Sequence, residues 1–158
     1  MLLEAVPNFS EGRDERTLAA LGAALAAHAR VLDLHADADH DRCVFTVVGQ
    51  PDELVEALVA AVRVALERID LREKSGVHPR IGAADVVPLV PLEPQQLAAA
   101  RVAATALARR LAHELDLPVF LYGACAGGLR PAHFRRGGLS GLSARVLAGE
   151  LKPDFGPS

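Results

Sequence analysis

The chain has 158 residues, of which 51% are hydrophobic and 23% are charged, and its formal net charge is −3. This length is typical of one domain or of one lobe of a two-lobed enzyme, and it allows folding without disulfides or metals. The acidic balance and an aromatic content of 4% argue against a nucleic-acid-binding protein. The N-terminus lacks a basic stretch, so neither an export signal nor a membrane partner is expected. The separation of Cys43 from Cys125 indicates a reducing, cytoplasmic compartment.

Predicted strands and helices are interleaved along the chain. Apolar residues recur at helical spacing in the helices, and β-branched residues mark the strands. The first half is predicted to contain strands at 2–6, 31–34 and 42–48, and helices at about 14–28 and 52–69. The second half is predicted to contain strands at 85–90 and 119–122, helices at about 94–115 and 131–149, and an extended tail at 152–158.

The element order βαββαβ predicts an α/β (α+β) fold, a two-layer ferredoxin-like sandwich with helices on one face of a mainly antiparallel sheet. A doubly wound fold is the alternative, but the short link between the second and third strands suits a hairpin better than a crossover. The third strand is apolar on both faces, with Cys43, Phe45 and Val47 on one and Val44, Thr46 and Val48 on the other. We therefore expect a partner to cover the open face of the sheet.

A histidine lies in a loop between two glycines, in the string Gly76-Val77-His78-Pro79-Arg80-Ile81-Gly82. Pro79 favours an extended conformation for His78, and a histidine held in this way can transfer protons near neutral pH. Arg80 would project to the same side and could bind a carboxylate. The alternative is a surface histidine beside a structural proline.

Two further loops are candidate sites, and each has a structural alternative. The loop 8–13, which includes Asn8 and Ser10, joins a strand to a helix; its free amides could bind a substrate carboxylate or be satisfied by a polar cap. The loop 35–41 holds three aspartates and two histidines, which favours either a metal cluster or a solvated acidic loop. It has neither a turn glycine nor a closing acid, so we expect no metal.

Five strings in chain order resemble the formiminotransferase family, a family of folate-dependent transferases that is fused to a cyclodeaminase in some organisms. The resemblance covers the whole chain, but it is to the N-terminal subdomain only. The strings are Val6-Pro7-Asn8-Phe9-Ser10-Glu11-Gly12, Asp41-Arg42 followed by Val44-Phe45-Thr46, His78-Pro79-Arg80-Ile81-Gly82-Ala83-Ala84-Asp85, Leu121-Tyr122-Gly123 and Pro153-Asp154-Phe155-Gly156-Pro157.

The resemblance implies a ferredoxin-like subdomain that acts in histidine catabolism. The implied reaction transfers a formimino group from N-formimino-L-glutamate to N5 of tetrahydrofolate, the co-substrate. His78 would be the acid–base, and Asp37 or Asp39 would assist it. Arg42 and Arg80 would bind the glutamate carboxylates. The tail residues Gly156, Pro157 and Ser158 would contribute to folate binding.

In the family a second subdomain follows the tail and completes the folate cleft. The first hypothesis is therefore an enzyme lobe that needs a second subdomain, or a second copy of itself, for full activity. The second is a non-catalytic lobe that binds folate or has a structural role. A water-exposed half-cleft would transfer formimino groups poorly by itself.

Overall fold

The computed structural model describes residues 1–73 and 82–158. Their strands are β1 (Leu3–Ala5), β2 (Asn8–Phe9), β3 (Arg30–Asp37), β4 (Arg42–Gly49), β5 (Ala84–Val86) and β6 (Leu89–Pro91). Their α-helices are α1 (Glu15–Ala26), α2 (Pro51–Arg68), α3 (Leu97–Leu115), α4 (Pro131–Arg135) and α5 (Gly138–Leu147). Two single 3₁₀ turns lie at Leu71–Glu73 and Pro94–Gln96. None of the helices in these two ranges is long and apolar enough to cross a membrane.

The six strands form one sheet in which each pairing is antiparallel. β4 pairs with β3 along one edge. Along its other edge it pairs with β1 and with β2, which follow one another in a line. Beyond this line, β6 pairs with β1 and β5 pairs with β2. Prolines interrupt two of the strands of this sheet, at Pro7 between β1 and β2 and at Pro88 between β5 and β6. Proline cannot donate to a ladder, which explains why the predicted strand at 85–90 is divided. The predicted α+β class with a mainly antiparallel sheet is confirmed.

The hydrophobic core lies between the sheet and the helices. Cys43, Phe45 and Val47 of β4 are buried there with the apolar faces of α1 and α2. Phe9 packs edge-to-face on Phe45, with ring centroids 6.0 Å apart, as aromatic quadrupoles favour. α3 packs against α2 and β6. This core fixes both the register of β4 and the side of the sheet that is left open.

The open face of the sheet is mixed in character rather than apolar. Directly paired residues of an antiparallel ladder lie on the same face. On β4, Val44, Thr46 and Val48 are half-buried. Their partners on β3 are exposed and polar or charged, namely His35, Asp33 and Arg30. On this face β4 is therefore largely apolar, as predicted, whereas the neighbouring strand β3 is polar.

Residues 116–158 differ most from the prediction. The expected strand at 119–122 is reduced to two isolated bridges, between Val119 and Phe155 and between Gly123 and Leu129. The expected helix at 131–149 is broken into α4 and α5. The break occurs at Gly137, whose φ of +81° is left-handed and incompatible with a continuous right-handed helix.

Candidate functional site

A cluster of polar side chains gathers beside the start of β4. The Arg42 guanidinium donates from Nε to Oδ1 of Asn8 at 3.1 Å, and a second donor of the same fork contacts that oxygen. The Asp85 carboxylate lies 4.0 Å from the Arg42 terminal nitrogen. The Arg42 and Asp85 side chains are only 18% and 3% exposed. Guanidiniums bind carboxylates with a defined fork geometry, which makes Arg42 a candidate carboxylate ligand.

The β2–β4 ladder explains why Asn8 and Arg42 meet. Asn8 pairs with Val44, and Arg42 lies two residues earlier on β4, so both belong to the same face of the sheet. Nδ2 of Asn8 donates to the carbonyl of Val6 at 2.8 Å, which leaves its oxygen directed to the guanidinium. Both residues are predicted from the sequence to lie in the site, and the structure brings them together.

Ser10 binds the chain on the C-terminal side of the His-Pro-Arg string. Its hydroxyl donates to the carbonyl of Gly82 at 2.7 Å, and its amide donates to that of Ala83 at 2.8 Å. Ser10 is buried, so these bonds are shielded from water. His78 and Arg80, the predicted acid–base and carboxylate ligand, lie outside the described residues.

The amides of the loop that precedes α1 are occupied by side chains of the chain itself. The amides of Arg13 and Asp14 donate to Glu11 at 3.1 Å, and the amide of Gly12 donates to Asp41 at 2.9 Å. Asp14 is the N-cap of the helix and accepts from the amide of Arg16. Of the two interpretations of this loop, the polar cap is therefore the one that accounts for these amides.

The acidic loop forms a turn. One Asp37 oxygen accepts from the amides of Asp39 at 2.9 Å and His40 at 3.1 Å, and the other lies 2.6 Å from Nδ1 of His40. The hydrogen bonds from the amide and ring of His40 hold the pKa of Asp37 below its ordinary value. Asp41 points instead to Gly12. In the part of the chain that the structure describes, no three His, Cys, Asp or Glu side chains are grouped to hold a metal.

Asp85 and Arg135 are not among the site residues predicted from the sequence. Arg135 donates to the Asp85 carboxylate at 2.8 Å, so α4 reaches the cluster from the far end of the chain. For Asp85 a signal was present: it is a lone acid in an otherwise apolar strand, and buried acids are usually paired. No local pattern in the sequence marks Arg135, because its partner is fifty residues away.

Comparison with known proteins identifies the family. Residues 2–158 match the family profile described as the formiminotransferase domain, N-terminal subdomain. This chain belongs to the formiminotransferase family. It is 39% identical to the formimidoyltransferase-cyclodeaminase of Rattus norvegicus, over 99% of this chain and 30% of that protein. It is 36% identical to the glutamate formimidoyltransferase of Thermoplasma acidophilum, over 99% of this chain and 54% of that protein.

The chain thus spans about a third to a half of the length of these formimidoyltransferases, which are enzymes. A chicken relative, the formimidoyltransferase-cyclodeaminase of Gallus gallus, is 40% identical over 99% of this chain and 30% of its own length. The resemblance predicted from the five sequence strings is confirmed, as is the conclusion that the chain corresponds to part of such an enzyme.

The tail of this formiminotransferase lobe is docked onto residues 117–121. Phe155 exchanges backbone hydrogen bonds with Val119, and the Asp154 carboxylate accepts from the amide of Leu121 at 2.7 Å. Gly156 has a φ of +87°, and a Cβ there would overlap the carbonyl oxygen of Leu117. The need for glycine at 156 is therefore explained by close backbone packing.

A cavity of about 680 Å³ separates β5 and α3 from the C-terminal region. Its walls are mainly apolar, with Leu107, Phe134 and Leu142 among them. Asp85, Pro157 and Ser158 also contribute to its lining. Its volume is within the range of cavities that hold drug-sized ligands. Asp85, one member of the polar cluster, and the tail, which are far apart in the sequence, thus border one space.

Proposed function

We propose that this chain is the N-terminal lobe of a glutamate formimidoyltransferase, which moves a formimino group from N-formimino-L-glutamate to N5 of tetrahydrofolate. The observation that carries the proposal is the Asn8–Arg42–Asp85 cluster in a chain that matches the family from residue 2 to residue 158. N-formimino-L-glutamate carries two carboxylates, and the shielded guanidinium of Arg42 is suited to bind one of them. Arg80 is the second carboxylate ligand in this proposal.

In the proposed reaction His78 takes the proton from N5 as this nitrogen attacks the formimino carbon. A new N–C bond forms, the bond from that carbon to the glutamate nitrogen breaks, and His78 returns the proton to the departing amine. One neutral imidazole can perform both transfers in turn. Asp37 is the acid we assign to assist it. Its register position opposite Arg42 supports this assignment.

The cavity beside Asp85 is the proposed place for the tetrahydrofolate ring system. Its apolar lining, its volume of about 680 Å³ and the presence of Pro157 support that role. Gly156 would act through the tail conformation that places Pro157 there. Ser10, which holds Gly82, would act by fixing the chain next to the reacting groups.

We further assign the sheet and its helices to the ferredoxin-like arrangement. When the interrupted strands β1–β2 and β5–β6 are each counted as one, the order along the sheet is fourth, first, third, second. A second subdomain or a second copy of the chain would complete the cleft, since this chain covers about half of the glutamate formimidoyltransferases it matches. We place the protein in the cytoplasm, in keeping with two cysteines that are both free.

Replacement of the proposed acid–base tests this function. We expect His78→Ala to slow formimino transfer by about 10²- to 10⁴-fold, as is typical for loss of a general base. The matched control is His28→Ala, because His28 is an exposed histidine just after α1. Glutamate release would be followed for each variant, with and without a supplied second subdomain, and thermal unfolding would verify the fold.

Three outcomes separate the hypotheses. Transfer that depends on His78 supports the enzyme lobe. Binding of tetrahydrofolate without transfer under either condition would favour the non-catalytic lobe. A folded chain that binds neither N-formimino-L-glutamate nor tetrahydrofolate would show the proposed function to be wrong.

A further inference from the structure

α4 is a helix of five residues whose position is fixed from both sides. Phe134 is buried and its ring lies 5.3 Å from that of Phe120. The Arg145 guanidinium, from α5, donates to the carbonyls of His133 at 2.7 Å, Phe134 at 2.9 Å and Arg136 at 3.2 Å. These carbonyls end the helix and would otherwise lack partners. The direction of the side chain at 135 is therefore set by packing and by a guanidinium clamp.

The clamped helix directs Arg135 to the polar cluster. Its terminal nitrogen donates to Oδ2 of Asp85 at 2.8 Å, and Arg42 lies 4.0 Å from the same oxygen. Among the described residues, the guanidiniums of Arg42 and Arg135 thus both lie beside this one buried carboxylate. Arg135 is 20% exposed, so its side chain still reaches the solvent side of the cluster.

The donors of Arg135 are only partly used. A guanidinium carries five N–H donors, and the bond to Asp85 takes one of them. Its Nε is buried and has no hydrogen-bond partner among the described residues. An unpaired buried donor is costly, and a fork with spare donors can bind a second carboxylate beside the first.

We propose that Arg135 is a substrate-binding residue that joins Arg80 in recognising the second carboxylate of a dicarboxylate ligand, beside the first carboxylate on Arg42. Asp85 would hold the guanidiniums of Arg42 and Arg135 at their spacing. This inference rests on the proposed function, because it takes N-formimino-L-glutamate as the ligand. It adds a specificity determinant from α4, a part of the chain that lies far from the other site residues in the sequence.

The test compares two ligands that differ by one carboxylate. N-formimino-L-glutamate would be titrated into the 158-residue chain by calorimetry, and so would N-formimino-L-glutamine, whose side-chain amide replaces a carboxylate. We expect Arg135→Gln to weaken binding of the dicarboxylate by about 10- to 100-fold and to leave binding of the monocarboxylate nearly unchanged. Arg136→Gln removes the same charge from the next, exposed residue and should change neither affinity.

Arg135→Lys keeps the charge without the planar fork, so its preference for the dicarboxylate should be intermediate. It also provides a folded variant if Arg135→Gln does not fold. An equal loss for both ligands in the variants would assign Arg135 a purely structural role and overturn the inference, as would unchanged affinities. A wild-type chain that binds neither ligand would overturn this inference. If it also fails to bind tetrahydrofolate, the proposed function is wrong as well.

Discussion

Residues 1–115 and residues 116–158 are held together in different ways. The first region is a hydrogen-bonded sheet covered by three helices, and its core side chains are almost fully buried. The second region has two short helices and isolated bridges. All the positive-φ glycines of the described residues lie in this second region. Burial spread over many residues stabilises the first region, whereas a few directed polar contacts position the second.

Three of the contacts that position the second region are made by charged side chains. Asp154 binds the amide of Leu121, Arg145 binds the end of α4, and Arg135 binds Asp85. The candidate site draws on both regions, because Asn8 and Arg42 come from the sheet and Arg135 comes from the second region. Substitutions in the second region should therefore alter ligand preference at a smaller cost in global stability than substitutions in the sheet.

The same substitution made in each region would give the largest contrast. A Cβ at Gly12 would overlap the backbone of Asp37 and Arg42. At this point the loop before α1 packs directly on the β3–β4 hairpin. We expect Gly12→Ala to lower the free energy of unfolding by about 3 kcal/mol or more, since neither backbone can move without disturbing the sheet. Urea unfolding followed by circular dichroism measures this loss.

Gly156→Ala is the matched change in the second region. It combines overlap at Leu117 with a left-handed φ, but the tail can detach to relieve both. We expect a loss of about 1–2 kcal/mol, with faster hydrogen exchange confined to residues 117–121 and the tail. Faster exchange spread over both regions would show instead that they unfold as one unit.

The titration of Tyr122 measures how well the second region is closed. Burial raises the pKa of Tyr122 to about 12, and the nearby Arg135 charge opposes this rise. Because the folded state disfavours the phenolate, the associated stability is complete below pH 10, the ordinary value, and is lost as the pH rises from there through about 12. The chain has one tyrosine and no tryptophan, so phenolate absorbance reports this residue directly.

We expect a spectroscopic midpoint near 12 in the folded chain and near 10 in urea. Arg135→Gln should move the folded midpoint upward, because the opposing positive charge is lost. A folded-state midpoint near 10 would mean that the second region is open to water in solution.

The two regions also differ in how well they could be predicted from the sequence. The helices and strands of the first region agree with the prediction to within a few residues, since hydrophobic periodicity determines which face is buried. β2 escaped prediction because two residues beside a proline carry no period. In the second region, contacts such as that of Arg145 with α4 decide the structure, and no local pattern encodes them.

The candidate site follows the same division. Asn8 and Arg42 are predictable because they lie in recognisable strings of the first region. Arg135 is not, because its role depends on where α4 docks. Among the predicted tail residues, Gly156 is explained by packing against Leu117, whereas Pro157 lines the cavity. The strings identify the family, and the structure is needed to separate residues with packing roles from those that face the cavity.

A second pair of glycines, each inside a helix, gives the smallest but sharpest contrast, since the two changes should differ in sign. In α1, a Cβ at Gly22 would lie 3.5 Å from the Phe45 ring, an ordinary contact. We therefore expect Gly22→Ala to raise the free energy of unfolding by about 0.5–1 kcal/mol, the difference in helix propensity.

In α5, a Cβ at Gly141 would lie 2.7 Å from the carbonyl oxygen of Arg136, which Arg145 holds in place. Gly141→Ala should instead destabilise by about 1 kcal/mol, because that carbonyl cannot retreat without loosening the clamp on α4. Thermal unfolding of both variants measures the two signs. A stabilising Gly141→Ala would show that the clamp is not rigid, and would remove the reason for expecting Arg135 to be fixed beside Asp85.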